Sequence, residues 1–290
     1  IWDTFFYKDR LGFIADDTVH LSETGYYFNL FRTTLLSLRD TAPIDVTLNH
    51  EKPAILRWPV PHNEDMVLGR DRSQFVVRGS DILSPRTIQV TPVSEYENLT
   101  NVPPISAARS MFVPFKRGNQ SGVRELFQVG DVDRFDAVDT TITVPNYIEG
   151  EITEMAVTTL EDTLVVLSSN SATELYVYKW LWSGREKIQS AWQKWTLGTE
   201  NNTAIKNIAF VENTLHLVIN RLGRICFEKI ELAAGLTDPD SIFTVHLDRR
   251  FDQSQLTIQA TATITITDFT GLSTFDEVTL TATDGTSYDF

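Results

Sequence analysis

An all-β chain, forming a propeller-like platform of short antiparallel blades with an additional small β-domain, is the fold that this sequence predicts, on three observations. Thr, Val, Ile, Phe and Tyr run throughout in short alternating stretches cut by Gly, Pro, Asn and Asp, the pattern of many short strands. Helical periodicity is scarce. A degenerate unit also recurs, in which a polar residue opens an apolar strand that is followed by a turn and a second strand. Its copies begin at Asp9, Asp65, Ser110, Asp162 and Asn213, in steps of 56, 45, 52 and 51 residues. Spacings of roughly 40 to 50 residues with several strands per unit mark propeller blades.

The first three copies are Asp9-Arg10-Leu11-Gly12-Phe13-Ile14, Asp65-Met66-Val67-Leu68 and Ser110-Met111-Phe112-Val113. In the fourth, Asp162 to Leu167 leads across a turn into Glu174-Leu175-Tyr176-Val177-Tyr178-Lys179. In the fifth, Asn213 to Val218 leads into Arg224-Ile225-Cys226-Phe227-Glu228-Lys229. A four-stranded blade cannot bury both of its faces alone, so such units stack on one another. A large sandwich is the competing architecture.

Beyond these copies the grammar continues. Leu256, Ile258, Ala260, Ala262, Ile264 and Ile266 alternate with threonines, which predicts one buried and one wet face. Val278, Leu280 and Ala282 share a face, and Asp284-Gly285 predicts a hairpin into Tyr288. Residues 1–250 are therefore read as the platform and residues 251–290 as the beginning of a second β-domain. The chain begins inside a structured run and ends without a closing signal, so it reads as a piece of a longer protein.

Of the 290 residues 39 are acidic and 25 basic, a net charge of −14, the wrong sign for a protein that grips nucleic acid by neutralising phosphates. The single cysteine, Cys226, excludes an intrachain disulfide and a cysteine metal cluster. No window approaches 18 apolar residues in a row, so no transmembrane helix is predicted. The sequons at Asn98, Asn119 and Asn201 come without a secretory signal and read as chance matches.

Candidate chemistry is sparse. Asp131, Asp133, Asp136 and Asp139 have the spacing of oxygen ligands for a hard cation, but Phe135 stands where a ligand is wanted and Ala137 where the turn needs Gly. A solvated acidic loop is the better reading. Asp16 with Asp17, and Glu161 with Asp162, raise the two-carboxylate chemistry of glycosidases, yet neighbours on a strand point to opposite faces. His20, His50, His62, His216 and His246 are scattered without ligand spacing. No Gly-x-Ser-x-Gly elbow or phosphate-binding loop occurs. No catalytic, cofactor or metal residue is predicted.

Aromatic residues are the conspicuous resource. Tyr176, Tyr178, Trp180, Trp182, Trp192 and Trp195 crowd into twenty residues, and the first three share a strand face, which suits packing between blades. Ile188, Trp192 and Trp195 also fit a helical stripe. Basic residues pair up at Arg70 and Arg72, Lys116 and Arg117, and Arg249 and Arg250, as solvated turns, as phosphate contacts or in salt bridges.

Arg10-Leu11-Gly12-Phe13, Leu21-Ser22-Glu23 and the run from Gly25 through Tyr26, Phe28 and Phe31 to Thr34 closely resemble a segment of the tail tubular protein B family, the nozzle proteins of short-tailed, podovirus-type bacteriophages. Leu83-Ser84-Pro85-Arg86, Val144-Pro145-Asn146-Tyr147 and Leu175 to Trp182, running on from Gln189 to Trp195, are similar to that family too. The matches lie in order over most of residues 1 to 200. The resemblance implies a virion tail protein, assembled in the host cytoplasm into a six-fold ring. Such a ring docks on the tail adaptor, meets tail fibre proteins, and forms the channel through which double-stranded DNA leaves without sequence recognition. Arg10, Leu11, Gly12, Phe13, Tyr26, Phe28, Phe31, Trp192 and Trp195 are carried as motif and interface candidates, and the whole of Gly25 to Leu38 as a contact surface. A protein that binds or cleaves capsular polysaccharide is the alternative.

Overall fold

A computed structural model describes residues 1–34, 36–48, 55–79, 82–128, 135–184, 186–197, 203–232, 279–281 and 287–289. Every regular element among them is a β-strand. Two compact units divide the chain, Ile1–Leu236 and Thr237–Phe290.

The first unit holds five antiparallel sheets in chain order. Sheet one is β1 (Asp3–Tyr7), β2 (Arg10–Ala15), β3 (Thr18–Leu21) and β4 (Ile44–Thr47), and sheet two is β5 (Trp58–His62), β6 (Asp65–Gly69), β7 (Gln74–Arg78) and β8 (Gln89–Ser94). Sheet three is β9 (Ile105–Ala107), β10 (Ser110–Arg117), β11 (Gln120–Gln128) and β12 (Phe135–Asp139), with β13 (Ile148–Glu149) also pairing to β11. Sheet four is β14 (Ile152–Thr158), β15 (Thr163–Ser168), β16 (Glu174–Ser183) and β17 (Glu186–Thr196), and sheet five is β18 (Ala204–Val211), β19 (Thr214–Arg221) and β20 (Arg224–Glu231).

Each copy of the recurring sequence unit falls on the second strand of a sheet: β2, β6, β10, β15 and β19. Its polar opening lies in or next to the preceding hairpin turn: Asp9, Asp162 and Asn213 in the turn, Asp65 and Ser110 as the first residues of β6 and β10. Lys8, Asp9, Asn63, Ala108, Asp162 and Glu212 have φ between 44° and 59°, the left-handed conformation that a tight hairpin turn demands. Asp and Asn enter that region more readily than most residues, which accounts for the polar start at Asp9 and Asp162.

Consecutive sheets pack face to face through four apolar layers. Phe5, Ile14 and Leu21 meet Met66, Leu68 and Phe75 between sheets one and two. Trp58, Val67 and Val76 meet Met111, Val113 and Leu126 between two and three. Phe112 and Val123 meet Leu164, Tyr176, Tyr178 and Trp180 between three and four. Val165, Leu175 and Val177 meet Leu215, Leu217 and Ile219 between four and five. The first strands of successive sheets also lie side by side, β1 with β5, β5 with β9, β9 with β14 and β14 with β18. Sheets in series with neighbouring first strands are blades, so the sandwich alternative falls.

Burial follows position in the series. Along β15 every residue is buried because sheets cover both faces, and β10 is buried from Ser110 to Phe115 for the same reason. On β2 and β19 buried residues alternate with half-buried ones.

The helical stripe over Ile188, Trp192 and Trp195 is not formed. These residues lie on β17, the edge strand of sheet four, where Trp192 faces Tyr178 and Trp195 faces Leu175 across the long β16–β17 ladder, and where both indoles pack against apolar layers of the neighbouring sheets. In the second unit, β21 (Thr279–Thr281) pairs antiparallel with β22 (Ser287–Asp289), Leu280 opposite Tyr288. This is the pairing expected around Asp284-Gly285, which themselves lie outside the described residues, as does Leu256 to Thr267.

Candidate docking loop

Between the end of β3 and the start of β4 the chain makes an excursion over residues 22–43, at the end of the strands where the β1–β2 hairpin turns. One buried side chain holds its neck. The Arg10 guanidinium, fully buried, donates from Nη1 to the carbonyls of Ser22 (2.6 Å) and Ala42 (2.8 Å), and from Nη2 to those of Asp40 (2.9 Å) and Leu83 (3.1 Å). Ser22 begins the excursion, Asp40 and Ala42 end it, and Leu83 belongs to the β7–β8 connection of the next sheet. Burial pulls the Arg10 pKa down, while Glu23 and Asp9 act in the opposite sense.

Inside the loop the backbone is pinned. Gly25, at φ 74°, donates its N–H to Asp9 O at 3.0 Å, a left-handed turn position suited to glycine. The Glu23 N–H donates to Asn29 O at 2.9 Å, and Asn29 Nδ2 donates to Glu23 Oε2 at 2.5 Å. Tyr27 Oη donates to Asp9 Oδ1 at 2.7 Å, which raises the phenol's pKa, and its ring meets Phe6 edge-on at 5.3 Å. Arg86 reaches back to the Leu38 carbonyl at 3.2 Å.

This order sets large apolar side chains in water. Tyr26 is 69% exposed, Phe28 95%, Phe31 83% and Leu36 98%. Scattered single exposures are ordinary, whereas four such side chains on one short, hydrogen-bonded loop form a concentrated apolar patch.

The remaining candidates fall elsewhere. Gly12 lies under the Phe5 ring, and Leu11 and Phe13 are half-buried on the outward face of β2. Trp192 donates its indole N–H to Thr140 O at 2.9 Å and packs with Tyr178, centroids 5.1 Å apart, while Trp195 packs on the layer between sheets four and five. Asp139 pairs with Arg117 and accepts from Thr141, Asp136 lies on β12, and Asp131 and Asp133 lie outside the described residues. His62 is buried with Nδ1 2.9 Å from Ser106 Oγ, and His216 stacks against Phe227 at 5.8 Å. Arg70 pairs with Asp71 at 3.2 Å and Arg72 with Glu97 at 3.5 Å. Asn98 is buried, out of reach of glycosylation.

The described residues thus form a series of stacked antiparallel blades with a braced loop that exposes Tyr26, Phe28, Phe31 and Leu36. Comparison with known proteins gives that series its place. The chain matches the bacteriophage nozzle protein family over residues 1–288, and it belongs to that family. It is similar to tail tubular protein gp12 of Escherichia phage T7, 27% identical over 233 residues that cover 78% of this chain. The chain spans 29% of the length of that relative. Among solved structures it is similar to Kluyvelomyces marxianus Hsv2, at 9% identity and a TM-score of 0.48, over 79% of this chain and 62% of that one. The N-terminal domain of Nup159 gives 10% identity and a TM-score of 0.41, over 77% and 54%. The protein is a structural component of the phage tail, carried in the virion and assembled in the host. These likenesses lend no support to the polysaccharide-active alternative. No described helix is long and apolar enough to cross a membrane.

Proposed function

We propose that the chain is a platform module of a tail nozzle ring that docks on the tail adaptor and encloses the passage for DNA, through packing and without catalysis. The observation that carries this reading is the braced loop with Tyr26, Phe28, Phe31 and Leu36 in solvent, in a chain of the nozzle family. Heterologous contacts around a ring need adhesive surfaces at the subunit boundary. The net charge of −14 favours a passage wall that repels phosphates and lets DNA slide. A homohexamer, contact with tail fibre proteins, and a boundary near residue 250 between platform and second β-domain belong to the same reading.

Labelling purified particles with an antibody to this chain tests it by electron microscopy. The expected result is label around the lower tail of every particle. Label on lateral spikes alone, or on no particle, refutes it.

A further inference from the structure

A cleft of about 190 Å³ opens beside the layer between sheets three and four, where the β9–β10 and β14–β15 turns meet the end of β16. Trp180 and Trp182 from β16 form its apolar wall with Ala108, and Arg109, Thr159 and Asp162 bring a guanidinium, a hydroxyl and a carboxylate. The wall is fixed in place. Trp180 is 8% exposed, its main-chain N–H donates to Asp162 O at 3.1 Å, and its side chain hydrogen-bonds the Asp162 carboxylate. The cations of Arg109 and Lys187 stand 5.8 Å and 5.1 Å from the Trp182 ring centroid. Arg109 Nη1 donates to Gly184 O at 2.8 Å, and Lys187 is committed to Glu125 across the layer. The polar groups are thus held in position before a guest arrives, which lowers the entropy that binding costs.

The charge of this lining is balanced, one carboxylate against one guanidinium, so it selects neither a simple anion nor a simple cation. Burial raises the pKa of Asp162, only partly offset by the hydrogen bond from Trp180. A carboxylate so short of water gains from hydroxyl donors that a guest brings. Arg109 and Thr159, both exposed, have donors for the oxygens of the same guest. Vicinal hydroxyls on one edge and C–H groups to lay against indoles are the chemistry of a pyranose ring. The volume lies below the roughly 300–1,000 Å³ of sites for drug-sized ligands, so it admits one ring.

We propose that this cleft is a binding subsite for one uncharged pyranose unit. The Asp162 carboxylate accepts from its hydroxyls, Arg109 and Thr159 donate to its oxygens, and its C–H edge lies against Trp180 and Trp182. The subsite binds without cleaving. Glycoside hydrolysis uses two carboxyl groups about 5–9.5 Å apart across the bond, and among the described residues Asp162 is the only carboxylate that lines the cleft. Glu125, behind it in the layer, is held by Lys187 and Ser110. Packing of the chain in the tail neither requires this subsite nor excludes it, so the two readings stand or fall separately.

The test is saturation-transfer NMR on the full-length nozzle protein with the methyl α-glycosides of glucose, mannose and galactose, beside glucuronate and methylammonium. The expected result is transfer to at least one neutral glycoside, strongest at its C–H protons, and little to either ion. Asp162→Asn suits the left-handed turn position at φ 46°, which Asn adopts readily, and weakens binding by about tenfold, the scale of a hydrogen bond to a charged group. Arg109→Ala, at an exposed position, weakens it by about threefold or more with an unchanged melting temperature. No transfer to any neutral glycoside overturns the proposal, and so does transfer that both variants leave unchanged, which places the sugar elsewhere. Preference for glucuronate or methylammonium overturns it in favour of an ionic guest. The polymer of the sugar that binds, dextran, mannan or galactan, separates the two sources: competition by the polymer assigns a unit within a chain, its failure a free sugar, and either upholds the subsite. Release of reducing ends from that polymer, lost in Asp162→Asn, overturns binding without cleavage.

Discussion

Phe115 and Gly122 face each other across the β10–β11 ladder, and the ring of the phenylalanine occupies the space that a side chain on the glycine would fill: a Cβ there would stand 2.5 Å from Phe115 Cζ and 2.6 Å from Thr141 Oγ1. The device repeats. Phe5 covers Gly12 across β1 and β2, and Trp58 covers Gly69 across β5 and β6. In three successive sheets an aromatic residue on one strand folds over a bare position on the next, which fills the layer and fixes the register.

Gly122→Ala therefore destabilises the protein by about 1–3 kcal/mol, the usual cost of overpacking a filled layer. Urea unfolding measures it, and in a Phe115→Leu background the added cost of the alanine shrinks.

The cross-sheet pair of Lys187 and Glu125 is the clearest buried ion pair. Lys187 on β17 meets Glu125 on β11, whose other oxygen accepts from Ser110 Oγ at 2.6 Å. Lys187→Met, which strands the carboxylate, costs about 3–5 kcal/mol, whereas Lys187→Met with Glu125→Leu costs far less. A double-mutant cycle on unfolding free energies decides it.

His62 predicts an acid-sensitive step. Its imidazole is buried with Nδ1 on Ser106 and Nε2 without a partner among the described residues, and burial lowers its pKa despite Asp65. The unfolded chain takes up this proton first, so stability falls as pH drops below about 6.5 until the folded imidazole also titrates. Melting temperatures from pH 7.5 to 5 fall less steeply for His62→Gln than for the wild type.

Glu154 acts in the opposite direction. Its carboxylate accepts from Ile208 N at 3.1 Å and Asn207 Nδ2 at 2.8 Å and ties β14 to β18, yet burial raises its pKa. The native state thus holds this proton more tightly, and stability drains away as pH rises through the folded pKa. Glu154→Gln, which keeps an acceptor without the charge, melts higher than the wild type at pH 7, and the gap closes towards pH 4.

Arg10→Lys loses the forked geometry that serves four carbonyls at once. Leaving buried carbonyls unpaired costs about 2–4 kcal/mol. Trypsin cleavage after Arg32 and Arg39 accelerates more than global unfolding does, because the neck of the loop is what opens.

Much of this architecture was legible. Blades two to four were written as unbroken apolar runs, Met66-Val67-Leu68, Met111-Phe112-Val113 and Leu164 to Leu167, because both faces of those sheets are covered. The alternation of Tyr176, Tyr178 and Trp180 likewise announced a packed face. The aromatic residues of the loop could not be sorted from these by type: Phe28 and Phe112 are the same residue, and only the neighbouring sheet decides which one is wet. Arg10 stood out as a motif residue, but its partners are main-chain carbonyls, which leave no trace in residue identity.

Because each blade is cut from one continuous stretch and is covered by the blade next in the chain, the order of synthesis is also an order of burial. As the polypeptide leaves the ribosome, a finished sheet waits only for its immediate successor, about fifty residues later, to hide its open face. A growing chain thus never has more than one such apolar face pending at its leading end, which keeps a long virion protein out of aggregates while it is still attached to the machinery that makes it.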